Sequence, residues 1–526
     1  MGKIATFLLG VLLFALGSVS AFDHSTVIDK YEGSKTCIGC HEDEVKDVFN
    51  SFHYQWAGEI TDIAGKGSVV HGKRYAYNDF CGAVFYNGEV PINWIGNATL
   101  KKPPEGKEEL KGKVVGQGCS TCHIGLGLVP SKEPTQEQLE NIDCFICHVP
   151  GYDKKSRILV KEGDKFKRIP NPNLDYKELA KKIQKKPAKE NCLTCHAFSG
   201  GGPGFKRPNL EPALIGNVSE SIDVHMARGL NCVDCHPVKE HKFGVKAMDT
   251  WVRELEERPS CENCHTDAPH GNDILNKHTK TVACQTCHIP KFAKKFKIDV
   301  KRDWSGKAEF NEKLGRWEPE IELGGNVTPV YSWWNSKDRE AYLYPEPLKL
   351  ENGKFYFFKP VGSIDDPGSK IYPFKYHETV VPIDKEKNIP VPVKVGVVFA
   401  TGNTTLGIMK AAQQSGLKFT GDFVTEVRYM AINHGVEPKE NALQCNDCHG
   451  GNRLDWTALG YKGDPMQVGG RFKAEEVPKE VEKPKDVEKP EEEVPPEKKG
   501  ICGPSMLIGI ALIPLAIYAS IRRSPK

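Results

Sequence analysis

Eight copies of Cys-x-x-Cys-His constrain this chain more than any other feature. They run Cys37–His41, Cys119–His123, Cys144–His148, Cys192–His196, Cys232–His236, Cys261–His265, Cys284–His288 and Cys445–His449, and they use sixteen of eighteen cysteines. Chance would give about 0.02 such matches in a chain of this length. A disulfide framework or a set of zinc ribbons would use the thiols but gives no reason for a histidine after every second cysteine. The motif makes sense when both thiols add to the vinyl groups of one haem and the adjacent histidine binds its iron. Eight covalent haem c groups are therefore expected on Cys37/Cys40, Cys119/Cys122, Cys144/Cys147, Cys192/Cys195, Cys232/Cys235, Cys261/Cys264, Cys284/Cys287 and Cys445/Cys448, with His41, His123, His148, His196, His236, His265, His288 and His449 on the irons. So many macrocycles must supply much of the apolar core. The expected fold is a mainly α multihaem cytochrome c fold with much irregular structure and few short strands.

An iron that only relays electrons takes a second strong axial ligand, usually histidine. Nine histidines lie outside the motifs: His24, His53, His71, His225, His241, His270, His278, His377 and His434. In "DEVKDVFNSFHYQWAG" the residues Val45, Phe49, Phe52 and Trp56 recur at helical spacing with His53 beside the stripe. His225 and His278 shortly precede haem motifs, and His434 ends the expected helix "FVTEVRYMAIN", with Gly435 as its cap. His24, beside the expected processed terminus, and His71 read as ordinary histidines. The expected ligand set is His53, His225, His241, His270, His278, His377 and His434, which leaves one iron without a histidine partner and open to a substrate.

The ends place the chain. Residues 1–21 read as a secretory signal, with Lys3, an apolar run and a small-residue cleavage site after Ala21. The body is 22–470, and 471–500 is a linker in which 18 of 30 residues are charged and 5 are proline. Residues 501–521 carry no charge and precede Arg522 and Arg523, as a membrane anchor with a cytoplasmic tail at 522–526 would. The body is then expected in the periplasm or on the cell surface. A net charge of +3 makes nucleic acid a poor partner. Within the body, 289–444 lacks haem motifs and is rich in aromatics ("YSWWN", "KFYFFKP"), with "VPVKVGVVFA" suggesting short strands. It reads as a cover over the haems, with a separate binding domain as the alternative. Asn97, Asn217, Asn326 and Asn403 open glycosylation-type triplets.

Six segments carry a resemblance to a known family: "SFHYQWAG", "NDFCGAVFYNGE", "CSTCHIGLG", "CFICHVPGYDKK", "PFKYHETVVPID" and "HGVEPKENALQCNDCHG". Between about residues 35 and 452 the chain resembles the octahaem tetrathionate reductases, relatives of hydroxylamine oxidoreductase and the ammonia-forming nitrite reductases. The resemblance implies a catalytic second haem on Cys119, Cys122 and His123. It also implies a distal lysine, Lys154 or Lys155, with Asp153 and the unpaired Cys81 nearby. The spacing "GYDKK" departs from the family pattern and leaves both lysines open. Independently, a lysine binds iron only when neutral, a state that desolvation favours, and an amine leaves more easily than a second imidazole. Tyr152, Asp153 and the remaining lysine are candidates to deliver protons to a bound anion. Cys81 suits a functional or an inert buried thiol equally.

The expected function is an extracytoplasmic, membrane-anchored reductase of a small inorganic anion such as tetrathionate, nitrite or hydroxylamine. Its electrons would come from a quinol-oxidising or cytochrome donor, and a homo-oligomer is compatible with it. The alternatives are a non-catalytic electron conduit and a hydroxylamine-type oxidase. The oxidase would need a tyrosine crosslinked to the catalytic haem, and Tyr461 is the body tyrosine that follows the last motif.

Overall fold

The stretch whose apolar residues suggest one helix folds as two, α1 (Glu42–Phe49) and α2 (Phe52–Gln55). The break falls where Asn50 Nδ2 and Ser51 Oγ donate to the carbonyls of Lys46 and Val48, competing with the helix ladder. Both pieces turn the same apolar side inward, burying Val45, Phe49, Phe52 and Tyr54. Gly72 closes the segment: its φ is +138° and a Cβ there would lie 2.5 Å from the Trp56 carbonyl oxygen.

The computed structural model describes residues 22–77, 80, 85–86, 90–116, 118–246, 248 and 252–471, which belong to a compact unit ending at Arg471. The expected leader, most of the linker, the apolar C-terminal segment with its tail, and Cys81 lie outside the described residues. Among the described residues no helix is long and apolar enough to cross a membrane.

The expectation of a mainly α chain with few short strands is corrected by a ten-stranded sheet. Its strands are β1 (Gly58–Ile63), β2 (Gly67–His71), β3 (Ile298–Asp303), β4 (Glu320–Gly324), β5 (Val330–Trp334), β6 (Arg339–Ala341), β7 (Lys354–Pro360), β8 (Lys370–Asp384), β9 (Ile389–Pro390) and β10 (Phe423–Ala431). The order is β4-β3-β8-β10-β7-β6-β1-β2, with β5 and β9 also paired to β8. The haem-free segment thus shares one sheet with two strands from before the second motif. The expected helix "FVTEVRYMAIN" is β10, wedged between antiparallel β8 and parallel β7 with His377 opposite Arg428. The expected strands in "VPVKVGVVFA" are instead largely a helix, Val395–Thr401, ended by Gly402 with φ +70°.

The unexpected sheet and the strand found in place of a helix share one cause. Polar residues of β8 and β10 do not mark solvent, because Lys375, His377, Thr379, Glu426 and Arg428 are all buried. Their charges are satisfied inside. Arg428 Nε donates to Glu426 at 2.5 Å and Lys375 Nζ to the Phe205 carbonyl at 3.0 Å. On β3, Asp299 and Arg302 pair at 2.7 Å. Beside the sheet lies an aromatic core including Trp304, Trp334, Phe355, Phe357, Tyr372 and Phe374, and a second core of Tyr31, Phe49, Tyr54, Phe145 and Tyr152 surrounds the third motif.

Phe357 is sealed from solvent, with the Arg428 guanidinium 3.9 Å from its ring centre. Phe357→Ala removes both the buried ring and the aromatic face that the cation rests on. It should cost about 3–5 kcal/mol in denaturant unfolding with haem content unchanged.

Candidate functional site

Five motifs lie on short one-turn elements, 3₁₀ at Cys119–Thr121 and Cys261–Asn263 and α at Cys232–Cys235, Cys284–His288 and Cys445–Cys448, while the fourth ends the longer helix Lys189–His196. One turn brings cysteines three apart to the same side of the backbone. Capping boxes fix two of these turns, Asn231 with Asp234 and Gln444 with Asp447. All sixteen motif thiols are free of disulfides. Among the described residues no group of three or more histidine, cysteine, aspartate or glutamate side chains is placed to hold a metal ion.

Cys40, Cys235, Cys264 and Cys445 are exposed, whereas their motif partners Cys37, Cys232, Cys261 and Cys448 are half-buried. At the first motif the reason is local. Cys40 and His41 directly precede α1, whose first turn, Glu42, Asp43 and Glu44, faces solvent and draws the end of the motif to the surface.

Seven motif histidines face a second imidazole. The ring centres are 6.2 Å apart in His24–His41, His148–His241, His225–His265, His236–His434, His270–His288 and His278–His449, and 6.3 Å apart in His53–His196. Two imidazole nitrogens, each about 2 Å from one metal, put their ring centres about 6 Å apart. The gap therefore fits a haem iron held from both sides. Outer hydrogen bonds orient several rings through Nδ1 and leave Nε2 for the metal. His148 Nδ1 meets the Gln184 carbonyl and His236 Nδ1 that of Gly244, both at 2.9 Å. His278 Nδ1 meets the Ile274 carbonyl at 2.7 Å, and His449 Nδ1 meets Asp464 at 2.6 Å.

One member of the expected ligand set is corrected. His377 faces no motif histidine among the described residues. It lies at the centre of the sheet, stacked on Phe80 at 4.5 Å, with Nε2 3.1 Å from Asp299 and Nδ1 3.3 Å from Thr379 Oγ1. His24, expected to be an ordinary histidine, instead faces His41. His71 is buried near Tyr75, and neither of its ring nitrogens has a hydrogen-bond partner.

Motif thiols of different sites also meet. Cys37 lies near enough to Cys144, Cys192 to Cys232, and Cys261 to Cys284 for each thiol to shift its neighbour's pKa. Cys147 and Cys192, Cys235 and Cys264, and Cys287 and Cys448 are close enough to feel each other's charge. These neighbours link the first motif to the third, and from there each motif to the next as far as the eighth. The second attaches to the side of the fourth, through Cys122 and Cys195.

That second motif departs from the rest. His123 is fully buried in a box of Tyr54, Trp56 and Trp94, with ring centres 5.0–5.2 Å away. Its Nε2 lies 2.6 Å from the Tyr54 carbonyl, and its Nδ1 accepts the Gly125 N–H at 3.1 Å. Burial, with Lys73, Arg157 and Arg74 adding to it, pushes its pKa down to about 3. Among the described residues no second imidazole faces it. Its thiols fit a haem like the others, but its imidazole would have to release Tyr54 to reach an iron.

Of the two candidate lysines, Lys154 is half-buried and Lys155 exposed. Lys154 Nζ lies 4.4 Å from the ring centre of Phe198 and acts electrostatically on Cys122 and Cys195. Asp153 caps the turn Lys154–Ser156, accepting the N–H groups of Lys155 at 2.7 Å and Ser156 at 3.1 Å. Tyr152 is buried edge-on to Phe145 and Tyr31, and burial raises its pKa. Sequence reasoning missed Asp143, Arg157 and Arg168, which grip this motif. Their only local signal is a charged residue beside a motif or a turn, which solvated turns share.

Replacing His24 with alanine should convert one low-spin haem to high spin in absorption and EPR spectra, whereas His377→Ala should leave the spin-state count unchanged. His71 gives a pH test. Burial, against a smaller opposing effect of Glu346, holds its pKa at about 4 instead of 6.5. The native ring stays neutral while unfolded chains bind a proton below pH 6.5. Its stabilising contribution is thus complete above that pH and lost as pH falls toward 4, by up to about 3 kcal/mol. His71→Leu should remove that part of the acid sensitivity of the melting temperature.

Comparison with known proteins agrees with this geometry. A family model described as "Cytochrome c bacterial" matches residues 291–452, and one described as "Cytochrome c7 and related cytochrome c" matches residues 218–289. An uncharacterized protein of Archaeoglobus fulgidus is 47% identical over 251 residues, 44% of this chain and 84% of the relative. The crystal structure of an octaheme cytochrome c from Shewanella oneidensis is similar with a TM-score of 0.65 and 30% identity, over 85% of this chain and 98% of that one. With paired imidazoles, free motif thiols and a relative matched over nearly its whole length, the chain belongs to the octahaem c-type cytochromes.

Proposed function

We propose that the chain is an extracytoplasmic respiratory oxidoreductase with eight haems that reduces a small inorganic anion at its second haem. The observation that carries this reading is the asymmetry of the sites: seven motif histidines face a second imidazole, while at the second the nearby donor is Lys154. Haem c, when bound, supplies one-electron transfer, and paired imidazoles suit relay centres. The chain's own residues supply the rest. Lys73, Arg74 and Arg157 surround the second motif with positive charge, which favours an incoming anion. Lys154 is a displaceable amine, and Asp153 fixes its turn. Tetrathionate, nitrite and hydroxylamine are the substrate candidates that the family resemblance implies. Cys81 and the proton-delivering role of Tyr152, Asp153 and Lys155 belong to this proposal, as do a C-terminal membrane tether, a quinol-oxidising or cytochrome donor and self-association.

One observation favours a second reading, an electron conduit. Neighbouring thiols link the first motif to the eighth without the second, an arrangement that suits a conduit. No such observation favours the oxidase, since Tyr461 packs on Trp456 beside the eighth motif.

The test separates the lysines. Lys154→Ala should turn one haem high-spin and lower kcat for anion reduction by about 100-fold or more, while Lys155→Ala should leave the spin-state count unchanged. A Lys154→Ala protein with a wild-type spectrum and full activity would overturn the reductase reading.

A further inference from the structure

Three residues after Lys154, Arg157 is buried where no solvated turn would put a charge. Its Nη1 donates to the His123 carbonyl at 3.0 Å and its Nη2 to the Thr121 carbonyl, so one guanidinium fork holds two carbonyls of the second motif. Its Nε lies 3.6 Å from Asp143 Oδ2, with both side chains sealed from solvent. Asp143 directly precedes Cys144 of the third motif. It accepts the Tyr31 hydroxyl at 2.9 Å, and its N–H donates to the Ile124 carbonyl at 2.7 Å, just beyond the second motif. Arg157 also opens the strand Arg157–Glu162, whose antiparallel partner Lys165–Pro170 carries Arg168. Arg168 grips the same motif from the other strand, through Ser120 Oγ at 3.0 Å and Thr121 Oγ1 at 2.8 Å.

The turn bearing Lys154 is therefore pinned at both ends. Before it stands the Asp153 cap, and after it the Arg157 fork; between them the Lys154 N–H donates to Thr194 Oγ1 of the fourth motif at 3.3 Å. Stability is a weak reason to retain such a pair, since apolar replacements of buried ion pairs are often neutral or better. Geometry is a stronger one. A planar fork fixes orientation through two parallel hydrogen bonds, which a lysine ammonium cannot reproduce.

We propose that Arg157, held by Asp143, is the positioning residue of the second haem site, keeping the backbone of the second motif and the Lys154 turn in one register. This rests on reading Lys154 as the amine of that site. Arg157 acts through Lys154 and through the motif carbonyls, and it need not touch the substrate.

The experiment compares wild type, K154A, R157K and R157Q as purified holoproteins, by haem content, resting EPR and absorption spectra, and kcat and KM for anion reduction. The expected result is that R157Q keeps its haem content but, like K154A, shifts one haem to high spin and lowers kcat by about 100-fold, as a small misplacement of a reacting group does. R157K should lie between R157Q and wild type, since it keeps the charge without the fork. If K154A changes the spectrum but R157Q matches wild type in spectrum and kcat, the positioning role is overturned while the lysine reading stands. If K154A itself leaves the spectrum unchanged, the lysine reading fails first. Should R157Q not accumulate with haem, R157K decides: a partial high-spin population supports the proposal, and a wild-type spectrum with wild-type kcat overturns it.

Discussion

Two imidazoles facing each other across a gap of 6.2 Å form the contact on which this fold depends. Some pairs join neighbours in sequence, as His24 and His41 do, and others join distant segments, as His236 and His434 do. Neither ring gains by facing an empty gap. The surrounding chain therefore has to hold each ring through its other nitrogen, as the carbonyls of Gln184, Gly244 and Ile274 do. The short turns and long connections between motifs follow from this demand. They place ligands around macrocycles and need not pack helix on helix.

The sheet solves a different problem. Its central strands carry lysine, arginine, glutamate and histidine into a dry interior, where each is costly unless paired. Beyond the pairs formed, Asp299 with Arg302 and Glu426 with Arg428, the same strands donate to loops that arrive from the haem-bearing half. Arg302 donates to the carbonyls of Phe80 and Gly200, and Lys375 to that of Phe205. The haem-free segment is thereby fastened to the segment after the fourth motif, and Phe198 in that segment lies under the Lys154 ammonium.

The haem-attachment sites could be read directly from the sequence, because the chemistry of thioether attachment fixes the spacing of the residues that perform it. The facing partners were largely legible too, since His53, His225, His241, His270, His278 and His434, all expected near haems, each face a motif histidine. The exchange of His377 for His24 was not legible. Proximity to a processed terminus says nothing about where a ring points, and a histidine in a strand looks the same whether it meets iron or Asp299. The sheet was hidden for the same reason, because burial of paired charges erases the alternation by which a strand is recognised. At the second site the resemblance pointed to Asp153 and to Lys154 or Lys155, and Arg157 carried no signal of its own. Only the fold separates the buried Arg157 from the half-buried Lys154 and the exposed Lys155.

The account stands on one centre being unlike the others. EPR spectroscopy of the oxidised holoprotein, integrated by centre, tests this most directly. The account predicts seven signals of paired imidazoles and one of different ligation that responds to added anion. Eight paired-imidazole centres, none changed by anion, would contradict it.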